Sequence, residues 1–355
     1  MQKGPDPPFI SHSCFFPAFI VYLSQHEEPF TRQVIPLIRK LLSAVLAGSL
    51  LLFSCSGCQL DNTPAVPNLG PLTVLTIGTA DSGGTMYPVG VAIALALSND
   101  ARKVNVSTST GSSMNIQALT NGSVDLALVS GDAADAAYRA SGGTSSLRAV
   151  AAIYTTVSNW LAPEAKGIEF VHDLKGLRLG MGPETSSTEQ AALTVIDILG
   201  LNDPSTAFVN CGLSAGTQLI PAETIDAIHG FAGIPISGFT ALANQIPCRV
   251  LRYTGEELDA ILAANSIYVP ATIPAYTYEG QDDYIPTFGV KCLLCVDASM
   301  DEELVYTITK TIWENRDTLS RAHPCMSEMV GTGYLFDELP VPLHSGAERL
   351  YAEIS

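Results

Sequence analysis

Basic residues are scarce in this chain: 18 Lys and Arg stand against 35 Asp and Glu, a net charge of −17. A nucleic-acid partner needs a basic face for its phosphates, and no basic cluster offers one, so no nucleic acid is expected. Charge of either sign is also thin, at 15%, while 47% of residues are hydrophobic; this excludes a disordered chain and indicates a globular one. Within the folded part, Cys292-Leu-Leu-Cys295 has no second cysteine pair at zinc spacing. It lies in a β-rich run, Phe288 to Val296, where alternation puts the two thiols on opposite faces, so buried core thiols are expected. No histidine has another histidine at i+4 or within a short loop, and neither metal nor cofactor is expected. Internal repeats and low-complexity segments are missing from the folded part. The 355 residues suffice for two domains or lobes.

What the chain does have is a strand, a tight turn and a helix start in one stretch, Leu72 to Gly90. The β-rich run Leu72–Ile77 gives way to small and polar residues, Gly78 to Thr85, and a helical pattern begins near Tyr87. Gly83 and Gly84 let the backbone turn and leave amides uncovered, and Thr85 is placed to cap the helix. Free amides and the positive end of the helix dipole would seat an anion such as a carboxylate.

At the N-terminus, Arg39-Lys40 followed by the apolar run Leu41–Phe53 has the form of a secretory signal and is too short for an ordinary membrane span. Ser54-Cys55-Ser56-Gly57-Cys58 follows, similar to a bacterial lipoprotein signal in which a cysteine after small residues is lipidated. Cys58, or else Cys55, is the expected anchor; the alternative is an ordinary cleaved signal. Residues 1–33 fit neither pattern, so translation is expected to begin near Val34. We divide the chain into an extension and signal (1–57), a polar, proline-rich tether (58–71), a first lobe (72–160 plus 253–355) and a second lobe (161–252).

Strands at Leu72–Ile77, Lys103–Thr110 and Asp125–Val129 alternate with helices at Met86–Asn99, Ile116–Leu119 and Ala133–Arg139, which predicts a parallel α/β sheet. Ligands in such sheets gather at the carboxyl ends of the strands, here rich in Ser, Thr and Gly. A further strand, Leu147–Val157, precedes a second unit in which Leu177–Met181 runs through Ser186, Ser187 and Thr188 into a helix from Glu189. Arg249–Tyr253 is expected to lead back to the first lobe, and Asp301–Arg321 to pack through Leu304, Ile308, Ile312 and Leu319.

Five segments together resemble the TAXI family of TRAP-transporter solute-binding proteins. They are Ile77–Pro88, Gly111-Ser-x-x-Asn115, Asn121–Val129, Ala271-Thr-Ile-Pro-Ala-x-Thr-Tyr-x-Gly-Gln281 and Leu339–Arg349, and the likeness runs from about Leu72 to Glu353. The resemblance implies a two-lobe periplasmic-binding-protein-like α/β fold (type II) with crossover hinge strands. It implies a lipid-anchored receptor in the periplasm or on the cell surface, without enzymatic activity. That receptor would close on a small carboxylate or amino acid, glutamate-like, and deliver it to a TRAP membrane permease. Mapped by motif, the pocket-facing residues are Gly84, Thr85, Met86, Tyr87, Gly111, Ser113, Asn115, Ser130, Asp132, Ser186, Ser187 and Thr188; Pro235 is a further candidate for the cleft wall or hinge. Two positions depart from the family pattern: Ser130 stands where a glutamine is common, and Ser187-Thr188 replaces Gly-Thr.

Each of these side chains has a plainer alternative, turn satisfaction or helix capping; Asp132 could read a ligand ammonium group or simply cap the helix that follows. His229, in an apolar strand, reads as a hydrogen-bonded core residue. A rival enzyme reading rests on Gly212-Leu-Ser-Ala-Gly216, which matches the G-x-S-x-G nucleophile elbow; Ser214 would need an acid such as Asp226 and a base such as His323 or His344. A sensor lipoprotein of the same fold is the third alternative.

Overall fold

The computed structural model describes residues 72–331 and 333–355. The signal, the tether and the anchor cysteines Cys55 and Cys58 lie outside the described residues. Among those described, no helix is long and apolar enough to cross a membrane.

The chain adopts the expected α/β class. Among the described residues, ten strands form one sheet. A first parallel group joins β1 (Thr73–Gly78) to β2 (Arg102–Ser107) on one side and β3 (Leu126–Ser130) on the other. A second joins β5 (Arg178–Gly182) to β6 (Ala207–Asn210) and β7 (Ala227–Ala232). Between them run two long strands, β4 (Leu147–Pro163) and β10 (Ile285–Asp297), paired antiparallel to each other. β10 is also antiparallel to β3, and β4 to β7. β3 and β7 are buried at every position, as their near-continuous apolar sequences require in the middle of a sheet.

Helices cover the sheet through their apolar stripes. Helix α1 (Met86–Leu97) carries Pro88 in its first turn, where the missing amide costs no intrahelical bond, and buries Val89, Ile93 and Leu97. Helix α2 is Ser112–Thr120 and α3 Gly131–Ala140; α4 (Ser187–Ile198) buries Ala191, Val195 and Ile196 against the second group. Short helices α5 (Leu213–Leu219) and α6 (Ser237–Ala243) flank the same group. The long helix α8 (Glu302–Leu319) buries Ile308, Ile312 and Leu319 as predicted, with Leu304 partly covered. Each fully buried Ile or Leu contributes roughly 1.5–3 kcal/mol. Cys292 and Cys295 are buried in separate core clusters, on opposite sides of β10.

Three expectations need correction. Arg249–Tyr253 does not cross back: β8 (Cys248–Val250) pairs with the end of β4, and β10 is the strand that traverses the sheet. Helix α2 begins at Ser112, so Ser113 and Asn115 lie inside a helix and not in its preceding turn. Helices α7 (Gly255–Ala264) and α9 (Ser345–Ile354) went unpredicted. The first carries a capping box, in which Thr254 Oγ1 accepts from Glu257 N at 3.2 Å and Thr254 N donates to the Glu257 carboxylate at 2.7 Å.

Candidate functional site

Because β4 runs antiparallel to β7, the two parallel groups point in opposite senses along the strands they share. Their carboxyl ends therefore meet at one place. Ser130, the last residue of β3, lies level with Cys292 and, beyond it, Tyr154 of β4; Ala232, the last of β7, pairs with Val157. The stretch Tyr154–Val157 is the floor on which both sets of strand-end loops converge, the position at which open α/β sheets bind ligands.

A cavity of about 50 Å³ lies there. At ~15 Å³ per water it has room for about three waters or the head of a small solute. Gly84, Thr85, Met86, Gly111 and Tyr154 line it from the first group's side, and Ser186, Ser187, Thr188, Leu213 and Phe231 from the second's. A wider groove of about 590 Å³ shares Ser187 with this cavity and is lined by Ser113, Asp132, Gln190, Asn265 and Tyr268 among others.

Nine of the thirteen proposed pocket residues line one or the other: Gly84, Thr85, Met86, Gly111, Ser186, Ser187 and Thr188 the cavity, and Ser113 and Asp132, with Ser187 again, the groove. Tyr87, Asn115, Ser130 and Pro235 line neither. Tyr87 is exposed, and Asn115 is buried with its amide nitrogen donating to Thr79 O at 3.0 Å and Leu128 O at 2.8 Å, a tie between β1 and β3. Thr85 does not cap α1 as expected: its Oγ1 donates to Gly233 O, beyond the end of β7. Ser186 does cap, accepting from Glu189 N at 3.2 Å at the start of α4.

The groups also touch directly. Ser113 Oγ donates to Thr185 O at 2.8 Å, and Gly83 O accepts from Gly238 N at 2.9 Å. A Cβ on Gly83 would sit 2.6 Å from Ser214 N, so only glycine allows this approach. Gly111, at φ +127°, takes a conformation that side chains disfavour and faces Ser186. Asp81 reaches across to the N-terminus of α5, where its Oδ1 accepts from Ser214 N at 2.9 Å and from Ser214 Oγ at 2.7 Å. The hydrolase triad is not assembled. His323 and His344 cap their own helices, and Asp226 is clamped by Arg178 and Lys166, whose charges and hydrogen bonds hold its carboxyl well below the usual range.

Behind the second wall, His229 is fully buried and uncharged: loss of solvation lowers its pKa to about 3. Nδ1 lies 3.0 Å from Thr188 O, which only a protonated ring nitrogen can satisfy, so Nε2 accepts from Ser158 Oγ at 3.0 Å. Tyr253 OH, 2.9 Å from Ser158 Oγ, closes this chain, which fixes the first turn of α4. In front of it, Tyr154 OH, Thr156 Oγ1, Ser130 Oγ and Ser187 Oγ are buried without a hydrogen-bond partner. Buried hydroxyls are nearly always paired, so four orphans around one floor mark a place for a polar guest.

Sequence reasoning missed Tyr154, Phe231 and Asp81. A signal existed for the floor: Tyr154-Thr-Thr-Val-Ser-Asn-Trp160 puts polar groups into a strand buried almost throughout. Asp81 gave none, because its partner is 133 positions away.

Among solved structures the chain is similar to the alkanesulfonate-binding protein SsuA from Xanthomonas axonopodis pv. citri bound to MOPS, at 17% identity over 80% of this chain and 84% of that one, TM-score 0.47. It is similar also to the periplasmic aliphatic sulphonate binding protein SsuA from Escherichia coli, at 16% identity over 79% and 83%, TM-score 0.42. A third is the ligand-binding component of an ABC-type import system from Staphylococcus aureus with zinc bound, at 13% over 79% and 89%, TM-score 0.44. A family model described as the NMT1-like family matches residues 77–354, and the chain belongs to that family.

Proposed function

We propose that this protein is an extracytoplasmic solute receptor. Residues 72–160 with 253–355 would form one lobe and 161–252 the other, closing on a small carboxylate or amino acid, with glutamate-like compounds the first to screen. It would deliver that solute to a membrane permease of the TRAP type, as its resemblance to TAXI proteins implies, and would be held at the membrane by lipid on Cys58 or Cys55. The observation that carries the reading is the convergence of both parallel groups on Tyr154–Val157, beside a cavity that both groups wall and that Tyr154 and Ser187, each with an unpartnered hydroxyl, help to line. Recognition would come from hydroxyls and helix amides, without an arginine clamp. A ligand favours closure only insofar as it binds the closed state better than the open one.

A thermal-shift screen of dicarboxylates, amino acids and 2-oxoacids tests this, since a solute specific to the folded state raises Tm. Tyr154→Phe, which removes only an unpartnered hydroxyl, should weaken a hit and leave the unliganded Tm within a degree or two. If no solute shifts Tm, the receptor reading fails.

A further inference from the structure

Resting on that reading and narrowing it to its amino-acid side, to solutes without net negative charge, we infer that the solute carries an ammonium group and places its nitrogen on the carboxylate of Asp132 beside the hydroxyls of Ser130 and Ser187. Among the residues lining the cavity and its groove there are two carboxylates, Asp81 and Asp132, and no Lys, Arg or His. Asp81 is occupied: it sits on the N-terminal amide of α5 and on Ser214 Oγ, so that helix end is already filled by an anion of the chain itself. Asp132 is different. Its Oδ1 accepts from the neighbouring Ala133 N at 2.9 Å, and no cationic side chain pairs with it among the described residues.

An acidic residue in the first turn of a helix is ordinary. What separates Asp132 from that ordinary case is its setting. It keeps some exposed surface on the groove, yet protein crowds it enough that loss of solvation raises its carboxyl pKa. Ser130 Oγ and Ser187 Oγ lie beside it, near enough to turn their protons to its carboxylate, both more than nine-tenths buried and neither with a partner elsewhere. Ser187 also lines the inner cavity, so a group on Asp132 is within reach of whatever the cavity holds. A carboxylate needing a counter-charge and two hydroxyls free to accept fit an ammonium with its three donors. A second carboxylate on the solute would meet only like charge and no basic side chain.

The experiment is calorimetry on the purified chain with solutes matched in shape: L-alanine, L-lactate and pyruvate; L-glutamine, L-glutamate and 2-oxoglutarate. The expected result is that the amine-bearing neutral member of each set binds at least tenfold tighter than its oxo or hydroxy partner, with glutamine ahead of glutamate. Asp132→Asn should cut that binding at least tenfold and erase the preference, and Ser187→Ala, with a normal circular-dichroism spectrum, should weaken it severalfold. Tighter binding of pyruvate, lactate, glutamate or 2-oxoglutarate to the wild type overturns this inference and leaves the receptor reading standing. Absence of heat and thermal shift with all six overturns both. Should Asp132→Asn fail to fold, the wild-type ranking alone decides.

Discussion

The carboxylate of Asp81 and the hydroxyl of Ser214 meet at 2.7 Å across the gap between the two parallel groups. The same oxygen, Oδ1, also takes the amides of Ser214, at 2.9 Å, and of Gly83, at 2.8 Å. One atom thus organises the turn after β1 and fastens it to the opposite wall. The G-x-S-x-G stretch that looks like a nucleophile elbow is its socket, and Ser214 donates its proton to a carboxylate with no histidine in hydrogen-bond contact. Two consequences can be measured.

In the proposed receptor, Asp81→Ala should loosen closure. Hydrogen bonds to charged groups are each worth about 1.5–3 kcal/mol, so solute affinity should fall by about ten- to a hundredfold, mainly through faster release. Stopped-flow release of a bound solute checks this, together with a larger radius of gyration in solution scattering. Ser214 should stay unlabelled by a fluorophosphonate probe under conditions that label a serine hydrolase completely.

Gly83→Ala inserts a methyl 2.6 Å from Ser214 N and 2.7 Å from its Oγ. Because the nearest atom is backbone, the walls must part; the expected cost is about 1–3 kcal/mol to the closed arrangement. Solute binding should weaken while urea unfolding of the unliganded chain changes little.

Thr185 offers its carbonyl to Ser113 while holding φ at +63°, a left-handed conformation that costs a β-branched residue roughly 1–2 kcal/mol. The contact uses only backbone at this position. Thr185→Gly should therefore keep it and, after the extra unfolded-chain entropy of glycine, stabilise the protein by up to about 1 kcal/mol, read as a rise in Tm of a few degrees.

His229 ties stability to pH. Its pKa is about 3 in the folded chain against an ordinary 6.5, so between these values the unfolded chain binds a proton that the folded chain refuses. Stability is then full above about pH 6.5 and declines as pH falls toward 3, with a slope of at most ~1.4 kcal/mol per unit. Urea unfolding at pH 7 and pH 5 should show this loss in the wild type. His229→Gln should be less stable at pH 7 but lose less on acidification; an unchanged slope would mean that the ring is not held neutral.

How far these features could be read from sequence depends on the range of the interaction. The strand ends at Gly78 and Ser130 and the helix start at Ser187 are local patterns of β-rich runs closed by small polar residues, and the sequence places them within one or two residues, at Ile77, Val129 and Glu189. The capping box at Thr254 and Glu257 was equally local and was overlooked. Strand direction is another matter. Nothing in the alternation of β4 and β10 says that they run antiparallel to each other, and only that pairing brings Ala232 and Ser130 to the same floor. For the same reason Thr85 read as a cap: its carbonyl acceptor on Gly233 comes from 148 positions away, and a local reading offers the hydroxyl only its own helix.

In the proposed receptor the seventeen-residue strand β4 does two jobs at once, since it underlies the cavity and is also a ribbon that both walls share. Substitutions between Tyr154 and Val157 would alter taste and bite together. Variants selected there for a new solute should arrive with altered opening rates as well, whereas changes at Gln190 on α4 or at Asn265 just after α7 should shift preference with the motion left intact.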